Sequence, residues 1–332
     1  MRRALAALVT LLCLSAVPAC KDGGSAGKAK GEITIAVVPK GTTHEFWKAV
    51  HAGAAKAAKE TGAKIVWKGP LKEDDLDQQI DVVQTFVAQG VSGIVLAPLN
   101  DKALVAPVKA AEEAKIPVLI FDSDLASTDR VSFVATDNFA AGKIAGDALA
   151  KLLGDAGKVL VLRYQEGSAS THQREEGFLA AVKAHPSIQI VSDKQYGGAT
   201  TETAFSASEN LLAANKAAEG GVTGVFCPNE STTFGMLLAL EKAGLAGKTK
   251  FVGFDASEKL LNGLSSGKID GLVVQNPFNM GYLAVTTMVK AKKGEKVEPR
   301  IDTGATLVTK DNLEKPEIKA LLHPDLKTWL GE

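Results

Sequence analysis

From Ile33 onward, short runs of β-branched residues alternate with longer amphipathic stretches rich in Ala, Lys and Glu. This alternation is typical of repeated βα units, in which each helix returns the chain to start a parallel neighbouring strand. Ten runs are predicted as strands: 33–38, 64–67, 93–97, 118–121, 132–135, 159–162, 188–191, 222–226, 251–253 and 271–274. Ten strands exceed one comfortable doubly wound sheet, so the sequence predicts an α/β fold with two parallel-sheet lobes.

The stretches between these runs have helical periodicity, and several end at a glycine, the residue that most readily ends a helix in a left-handed conformation. These glycines are Gly62, Gly90, Gly154 and Gly244. Predicted helices cover residues 45–61, 76–89, 102–115, 139–153, 173–184, 203–215 and 233–243. Asp137 and Asn138 interrupt a β run just before a helix, and we expect the chain to cross between lobes there.

The first residues have the pattern of an export signal. Arg2 and Arg3 precede an apolar run over 4–14, which is too short to span a bilayer of about 30 Å. Residues 17–20, Val-Pro-Ala-Cys, resemble the lipobox of bacterial lipoproteins, so we expect residues 1–19 to be a signal peptide and Cys20 to be lipidated. The alternative is an ordinary secretory signal with Cys20 incidental. The polar, glycine-rich residues 20–31 are predicted to form a flexible tether.

Charge and cysteine content bound the function further. The chain has 38 basic and 38 acidic residues, so no overall basic excess favours binding to a phosphate backbone, and no nucleic-acid partner is expected. Residues 1–19 carry two arginines and no acid, so the mature net charge is −2. Cleavage also removes Cys13, and lipidation would occupy Cys20. Cys227 would then be the only free thiol, and no intramolecular disulfide could form.

Polar side chains recur where the predicted strands end. In open α/β sheets ligands bind just beyond the carboxyl ends of the strands, so this pattern predicts a binding cleft. Arg174 adds a forked donor, and Phe46 and Trp47 could stack on the apolar face of a sugar ring. Such a mixture of donors and acceptors suits a polyhydroxylated ligand. The strand-end residues are His44, Asn100, Asp122, Asn229, Asp255 and Gln275.

Each of these residues also has a structural interpretation. Asp122, Asn229 and Asp255 precede helical stretches, where Asp and Asn are favoured N-caps. Residues 255–258, Asp-Ala-Ser-Glu, have the spacing of a capping box. Phe46 and Trp47 could belong to the core, and Arg174 could be a solvated helix charge. Spacing alone leaves both interpretations open.

No sequence motif indicates catalysis. The patterns H-E-x-x-H and G-x-G-x-x-G are absent from the sequence. Residues 244–249, Gly-Leu-Ala-Gly-Lys-Thr, lack the first glycine of a phosphate loop and lead from a helix into a strand. The five histidines show no metal-ligand spacing. We therefore expect no enzymatic activity, no cofactor and no metal. The alternative is an extracytoplasmic enzyme, for which the sequence shows no catalytic constellation.

Four stretches carry a resemblance to a known family: residues 135–147, 174–178, 225–230 and 252–255. In their order and spacing they resemble the periplasmic sugar-binding proteins of ribose type, within the type I periplasmic binding proteins. The resemblance runs from about Ile33 to Thr309. It implies a ligand held between two lobes joined by three hinge crossings. The lobes would comprise residues 32–136 with 276–302, and 137–275 with 303–332.

The resemblance also implies roles for the site residues. Phe46 and Trp47 fall on the aromatic positions that sandwich the sugar, and His44 stands where an asparagine is common. A further aromatic residue of the second lobe is expected near Tyr196. In ribose-type proteins an arginine follows the clamping aspartate, but Ser123 follows Asp122 here, which argues against assigning ribose. The remaining polar contacts would be Asp122, Arg174, Asn229, Asp255 and Gln275.

The resemblance implies an extracytoplasmic substrate-binding lipoprotein of an ABC transporter, which captures a sugar or sugar-like polyhydroxylated solute for the permease subunits. We expect a monomer in the periplasm, held to a membrane through lipidated Cys20, or at the cell surface if the source is Gram-positive. The alternative function is a ligand sensor that presents the bound solute to a chemoreceptor or histidine kinase.

Overall fold

The computed structural model describes residues 32–331, so the predicted signal peptide, the tether and Cys20 lie outside the described residues. Twelve strands are described: β1 (Thr34–Val38), β2 (Lys64–Trp67), β3 (Gly93–Leu96), β4 (Val118–Phe121), β5 (Phe133–Ala135), β6 (Ala156–Val161), β7 (Ser187–Ser192), β8 (Gly224–Phe226), β9 (Lys250–Phe254), β10 (Gly271–Gln275), β11 (Arg300–Asp302) and β12 (Ala305–Val308).

The α-helices of the described residues are α1 (Glu45–Thr61), α2 (Leu76–Gln89), α3 (Val105–Glu113), α4 (Asn138–Leu152), α5 (Ala169–Val182), α6 (Thr201–Ala214), α7 (Glu230–Lys242), α8 (Glu258–Ser265), α9 (Pro277–Lys292), α10 (Pro316–Leu322) and α11 (Leu326–Leu330). Among residues 32–331, none of the helices combines the length and the apolar character that crossing a bilayer requires.

The strands form two six-stranded sheets with the same spatial order. The first sheet is β11-β5-β4-β3-β1-β2, and the second is β12-β10-β9-β8-β6-β7. Every pair in the first sheet is parallel, and in the second sheet only β12 runs antiparallel to its neighbour. The predicted α/β fold with two parallel-sheet lobes is therefore confirmed. The sequence missed β11 and β12, which are short and only partly buried and so show no continuous apolar run.

Both faces of each sheet are covered by helices, which explains the nearly continuous apolar runs of the strands. In β1, Ile35 and Val37 pack with α1 and α9, whereas Ala36 and Val38 pack on the opposite face with α2 and α3. We call the first sheet with these four helices the first lobe. The second sheet is covered by α4 and α5 on one face and by α6, α7 and α8 on the other, and forms the second lobe.

The chain passes between the two sheets at three places: between β5 and α4, between β10 and α9, and between β11 and β12. Hydrogen bonds join the first of these segments to the third. Thr136 Oγ1 donates to the carbonyl oxygen of Gly304 over 3.1 Å, and Arg300 donates to the carbonyl oxygen of Thr136 over 3.0 Å. The lobe limits given in the sequence analysis stay a prediction.

The last described residues touch both lobes. Ile318 of α10 is buried in the core of the second lobe, and Leu313 packs beside it. The next helix, α11, instead packs against α1 of the first lobe. There the ring of Trp329 lies 5.4 Å from Lys59 Nζ and 6.0 Å from Lys56 Nζ. The segment from α10 to α11 therefore bridges the lobes, and the assignment of residues 303–332 to the second lobe stays a prediction.

Helices α4 and α5 are in direct backbone contact, and this contact positions the cleft end of α5. A Cβ atom added at Gly142 would lie 2.0 Å from the carbonyl oxygen of Arg174, and one at Gly177 would lie 2.1 Å from that of Phe139. Only glycine allows such an approach. The glycines in the two sequence stretches that carry the family resemblance thus have a packing reason.

Candidate ligand-binding cleft

The eight side chains predicted from the sequence line one narrow cavity between the lobes: His44, Phe46, Trp47, Asp122, Arg174, Asn229, Asp255 and Gln275. They come from strand ends, from the first turn of α1 and from α5. Six further residues complete the lining: Lys40, Glu73, Tyr164, Ser170, Thr171 and Glu230. The geometry brings the predicted set together, while the role of each as a ligand contact stays a prediction.

Asp122 and Asp255 are buried and line this cavity, and neither is the N-cap of the helix that follows it in the sequence. Asp122 Oδ2 lies 3.5 Å from Lys40 Nζ. Asp255 accepts hydrogen bonds from Gln275 Nε2 at 2.7 Å and from the backbone N–H of Glu230 at 3.1 Å. The capping box suggested for residues 255–258 does not form, because α8 begins only after Ser257. Burial raises the pKa of both aspartates, against the opposing effects of nearby cations.

Asn229 fits the helix-cap interpretation. Its Oδ1 accepts hydrogen bonds from the backbone N–H of Thr232 at 3.3 Å and from Thr232 Oγ1 at 2.6 Å. Its Nδ2 donates to Ser231 Oγ over 3.1 Å. The amide therefore caps α7 while also lining the cavity.

Arg174 and Gln275 each retain a buried polar atom without a protein partner. Arg174 Nε donates to Asn138 Oδ1 at 2.8 Å, and Nη1 donates to the carbonyl oxygen of Pro228 at 3.0 Å. The guanidinium lies over the ring of Phe254, 4.7 Å from its centroid. Arg174 Nη2 and Gln275 Oε1 have no hydrogen-bond partner. A buried donor and a buried acceptor left unpaired are uncommon and costly, and both residues line the cavity.

Sequence reasoning missed Lys40, which is almost fully buried beside Asp122. Its ammonium donates to Ser168 Oγ at 3.1 Å and to Ser170 Oγ at 3.2 Å, both in the second lobe. Ser123 provides no cation here, and its Oγ accepts from the backbone N–H of Ser170 at 3.1 Å. Lys40 thus supplies the positive charge beside Asp122. The available signal was its place soon after β1, at a strand end like the other candidates.

Glu73, in the loop between β2 and α2, was also missed. Its Oε1 lies 2.8 Å from His44 Nδ1 and accepts from Trp47 Nε1 at 2.5 Å, and its Oε2 accepts from the hydroxyl of Tyr164. Burial alone would raise the pKa of Glu73, but the charge of His44 and its hydrogen bond lower it to about 2. Burial would lower the pKa of His44, but the negative charge of Glu73 and its hydrogen bond are the main causes that raise this pKa to about 9. The two residues therefore form an ion pair at neutral pH.

The aromatic residues differ in part from expectation. Phe46 and Trp47 line the cavity in an edge-to-face pair, with ring centroids 4.8 Å apart, and both also pack in the first-lobe core. Tyr196 is 40% exposed and lines a groove outside the cavity. The second-lobe aromatic in the cavity is instead Tyr164, which is 1% exposed. The expectation of a cavity aromatic near Tyr196 is therefore corrected.

The lobes touch around the cavity. The backbone N–H of Asp101 donates to the carbonyl oxygen of Gly167 at 2.9 Å, and that of Glu258 donates to Glu45 Oε2 at 3.1 Å. The space enclosed among the site residues is about 30 Å³. By the same measure a single water needs roughly 10–15 Å³, so entry of anything much larger requires the lobes to separate.

A polar, aromatic-lined cavity between two parallel-sheet lobes is typical of a solute-binding protein. A family model of the periplasmic binding protein domain matches residues 35–296, and the chain belongs to this family. The ribose import binding protein of Salmonella typhimurium is 32% identical over 310 residues, covering 92% of this chain and 98% of the relative. This similarity confirms the ribose type predicted from the sequence.

Solved structures give the same result. A carbohydrate transporter solute binding protein from Agrobacterium Radiobacter, in complex with D-arabinose, is 37% identical with a TM-score of 0.84, covering 89% of this chain and 100% of that chain. An ABC transporter solute binding protein from Agrobacterium vitis with bound D-fucose is 38% identical with a TM-score of 0.83, covering 87% and 100%. These relatives are binding proteins, which confirms that the chain is not an enzyme, and the family is extracytoplasmic.

Proposed function

We propose that the protein captures a sugar or sugar-like polyhydroxylated solute between its lobes and delivers it to the permease of an ABC transporter. The observation that carries this proposal is the pair of unpartnered buried atoms, Arg174 Nη2 and Gln275 Oε1. A sugar hydroxyl can accept a hydrogen bond from the first and donate one to the second. Binding such a ligand would therefore satisfy both atoms.

The other cavity groups suit the same ligand class. Asp122 and Asp255 offer carboxylate oxygens to hydroxyl groups, and Phe46 and Trp47 offer apolar edges and faces to ring carbons. Solute-binding relatives with D-arabinose and D-fucose bound support a pentose or a hexose as the ligand. The ammonium of Lys40 is a point charge and not a fork, so the preferred sugar should differ from that of proteins with an arginine after the aspartate.

The binding proposal is tested by calorimetric titration of the purified protein with D-ribose, D-arabinose, D-fucose, D-allose, D-tagatose and D-galactose. We expect at least one sugar to bind with micromolar or lower Kd. Gln275→Met should raise that Kd tenfold or more, because it removes the unpaired acceptor from the cavity. Gln84→Met, at an exposed position of α2, is the matched control and should leave the Kd unchanged. Failure of the whole panel to bind would contradict the proposal.

The finer expectations on location and assembly belong to the same proposal. We infer that the protein is a monomeric lipoprotein, anchored through Cys20, that presents its closed form to permease subunits. The support is the Val-Pro-Ala-Cys sequence at 17–20 and the transporter names of the relatives. Metabolic labelling with an alkyne fatty acid should label the full chain, and Cys20→Ser should abolish the label. Equal labelling of both would refute lipidation at this cysteine.

A further inference from the structure

The carboxylate of Glu73 uses its two oxygens on different lobes. Glu73 belongs to the first lobe, and its Oε1 contacts His44 and Trp47 of the same lobe. Oε2 accepts from the hydroxyl of Tyr164, which follows β6 in the second lobe. Glu73 is 7% exposed and Tyr164 1% exposed, so both polar groups are removed from water.

These contacts leave Glu73 little capacity for a ligand. Three donors already converge on its two oxygens, and the partner His44 keeps the carboxylate charged. The same loop makes a second contact across the cleft, from Gln165 Nε2 to the carbonyl oxygen of Glu73 at 3.5 Å. The chemistry of Glu73 is thus directed at the protein, although it lies among the cavity-lining residues.

We propose that Glu73 is a positioning and closure residue, which orients Trp47 and His44 at the cleft wall and fastens the second lobe through Tyr164 when the lobes close. This proposal rests on the proposed function, because it concerns the same cleft. The contact with Tyr164 exists only with the lobes together, so it favours the closed form over the open form. A ligand that binds the closed form gains apparent affinity in proportion to the increase in the closed fraction of the protein.

The variant Tyr164→Phe removes one hydroxyl and keeps the ring. Because hydrogen bonds to charged groups are among the stronger ones, we expect it to raise the Kd of the sugar found above about tenfold or more, mainly through faster release. Tyr282→Phe is a matched control. The Tyr282 hydroxyl also donates to a glutamate, Glu60, at 2.7 Å, but both residues belong to helices of the first lobe. The Kd of Tyr282→Phe for the sugar should equal that of the wild type.

A double-mutant cycle separates positioning from general destabilisation. Glu73→Gln should raise the Kd at least as much as Tyr164→Phe and, by altering the surroundings of Trp47, shift the tryptophan fluorescence of the sugar-free protein. The combined variant should bind no more weakly than Glu73→Gln alone, because both changes break the same contact. Fully additive losses, or equal Kd values for Tyr164→Phe and Tyr282→Phe, would overturn the proposal.

A ligand-independent measurement keeps the two proposals distinguishable. If no sugar binds the wild type, the proposed function fails, and small-angle X-ray scattering of the sugar-free proteins then tests the closure residue by itself. We expect Tyr164→Phe to have a larger radius of gyration than the wild type and than Tyr282→Phe. Identical radii in all three proteins would overturn the role of Glu73 in closure.

Discussion

Asp122 and Asp255 occupy equivalent positions in the two lobes. Each directly follows the third strand of its sheet, counted from β11 in the first and from β12 in the second. Each has a left-handed backbone, with φ of 59° and 66°, which non-glycine residues seldom adopt. The sharp turn directs each carboxylate to the cleft, so each lobe contributes one buried aspartate to it.

The left-handed backbone predicts different effects for two substitutions of Asp255. Asparagine tolerates this conformation, whereas alanine pays about 1 kcal/mol for it. We expect both Asp255→Asn and Asp255→Ala to weaken sugar binding at least tenfold, with Asp255→Ala the less stable variant by about 1 kcal/mol. Urea unfolding and calorimetric titration measure the two effects. At Asp81, exposed within α2, the same pair should show alanine at least as stable as asparagine. Equal stability of the Asp255 pair would contradict the prediction.

The contact between α4 and α5 predicts that Gly142→Ala is destabilising. The added methyl group would meet the backbone carbonyl of Arg174, so side-chain rotation cannot relieve the clash and the helices must move apart. We expect a loss of about 1–3 kcal/mol in the free energy of unfolding, with weaker sugar binding because Arg174 moves. Lys143→Ala, at the exposed neighbouring position, serves as the control in chemical denaturation. A Gly142→Ala protein with wild-type stability and affinity would show that the helices are not held this closely.

The ion pair of His44 and Glu73 predicts a pH-dependent effect of His44→Asn. Burial would lower the folded-state pKa of His44, but Glu73, with contributions from Glu230 and Asp255, raises it to about 9. The protonated His44 therefore stabilises the folded protein fully below pH 6.5, and this stabilisation disappears as the pH rises through 9. His44→Asn should therefore be less stable than the wild type at pH 6 by up to about 3 kcal/mol, and this difference should shrink by pH 9.5. Urea unfolding at both pH values tests this, with His323→Asn as the control, because His323 is exposed and does not line the cavity. A difference independent of pH would contradict the ion pair.

The site residues that could be predicted from the sequence are those that directly follow an apolar strand. Asp122, Asp255 and Gln275 end apolar strands, and the sheet geometry brings strand ends together, so a local pattern was enough. Glu73 does not stand at a strand end, so no local pattern identifies it. It lies in a loop, and its partner Tyr164 is 91 positions away, so only the folded chain shows the contact. Lys40 was overlooked because lysine is rarely buried without a partner, and its partners come from both lobes.

The same distinction holds for the fold. The predicted limits of α1 and α2 agree with the structure to the residue, because each helix has a sharp start and a left-handed glycine at its end. Strands β11 and β12 escaped prediction because three or four half-exposed residues carry no readable periodicity. Their pairing is set by tertiary contacts with β5 and β10.

The bridge from α10 to α11 determines what a probe at the last described residues would report. Trp329 packs on α1, so a fluorophore attached at Gly331 would move with the first lobe, even though strand β12 before it belongs to the second sheet. Paired with a second dye on the exposed side of α6, it would read out the distance between the lobes. In a protein that is shortened or fused at this end, the same dye pair would measure the distance between the lobes only if α11 still packed on α1.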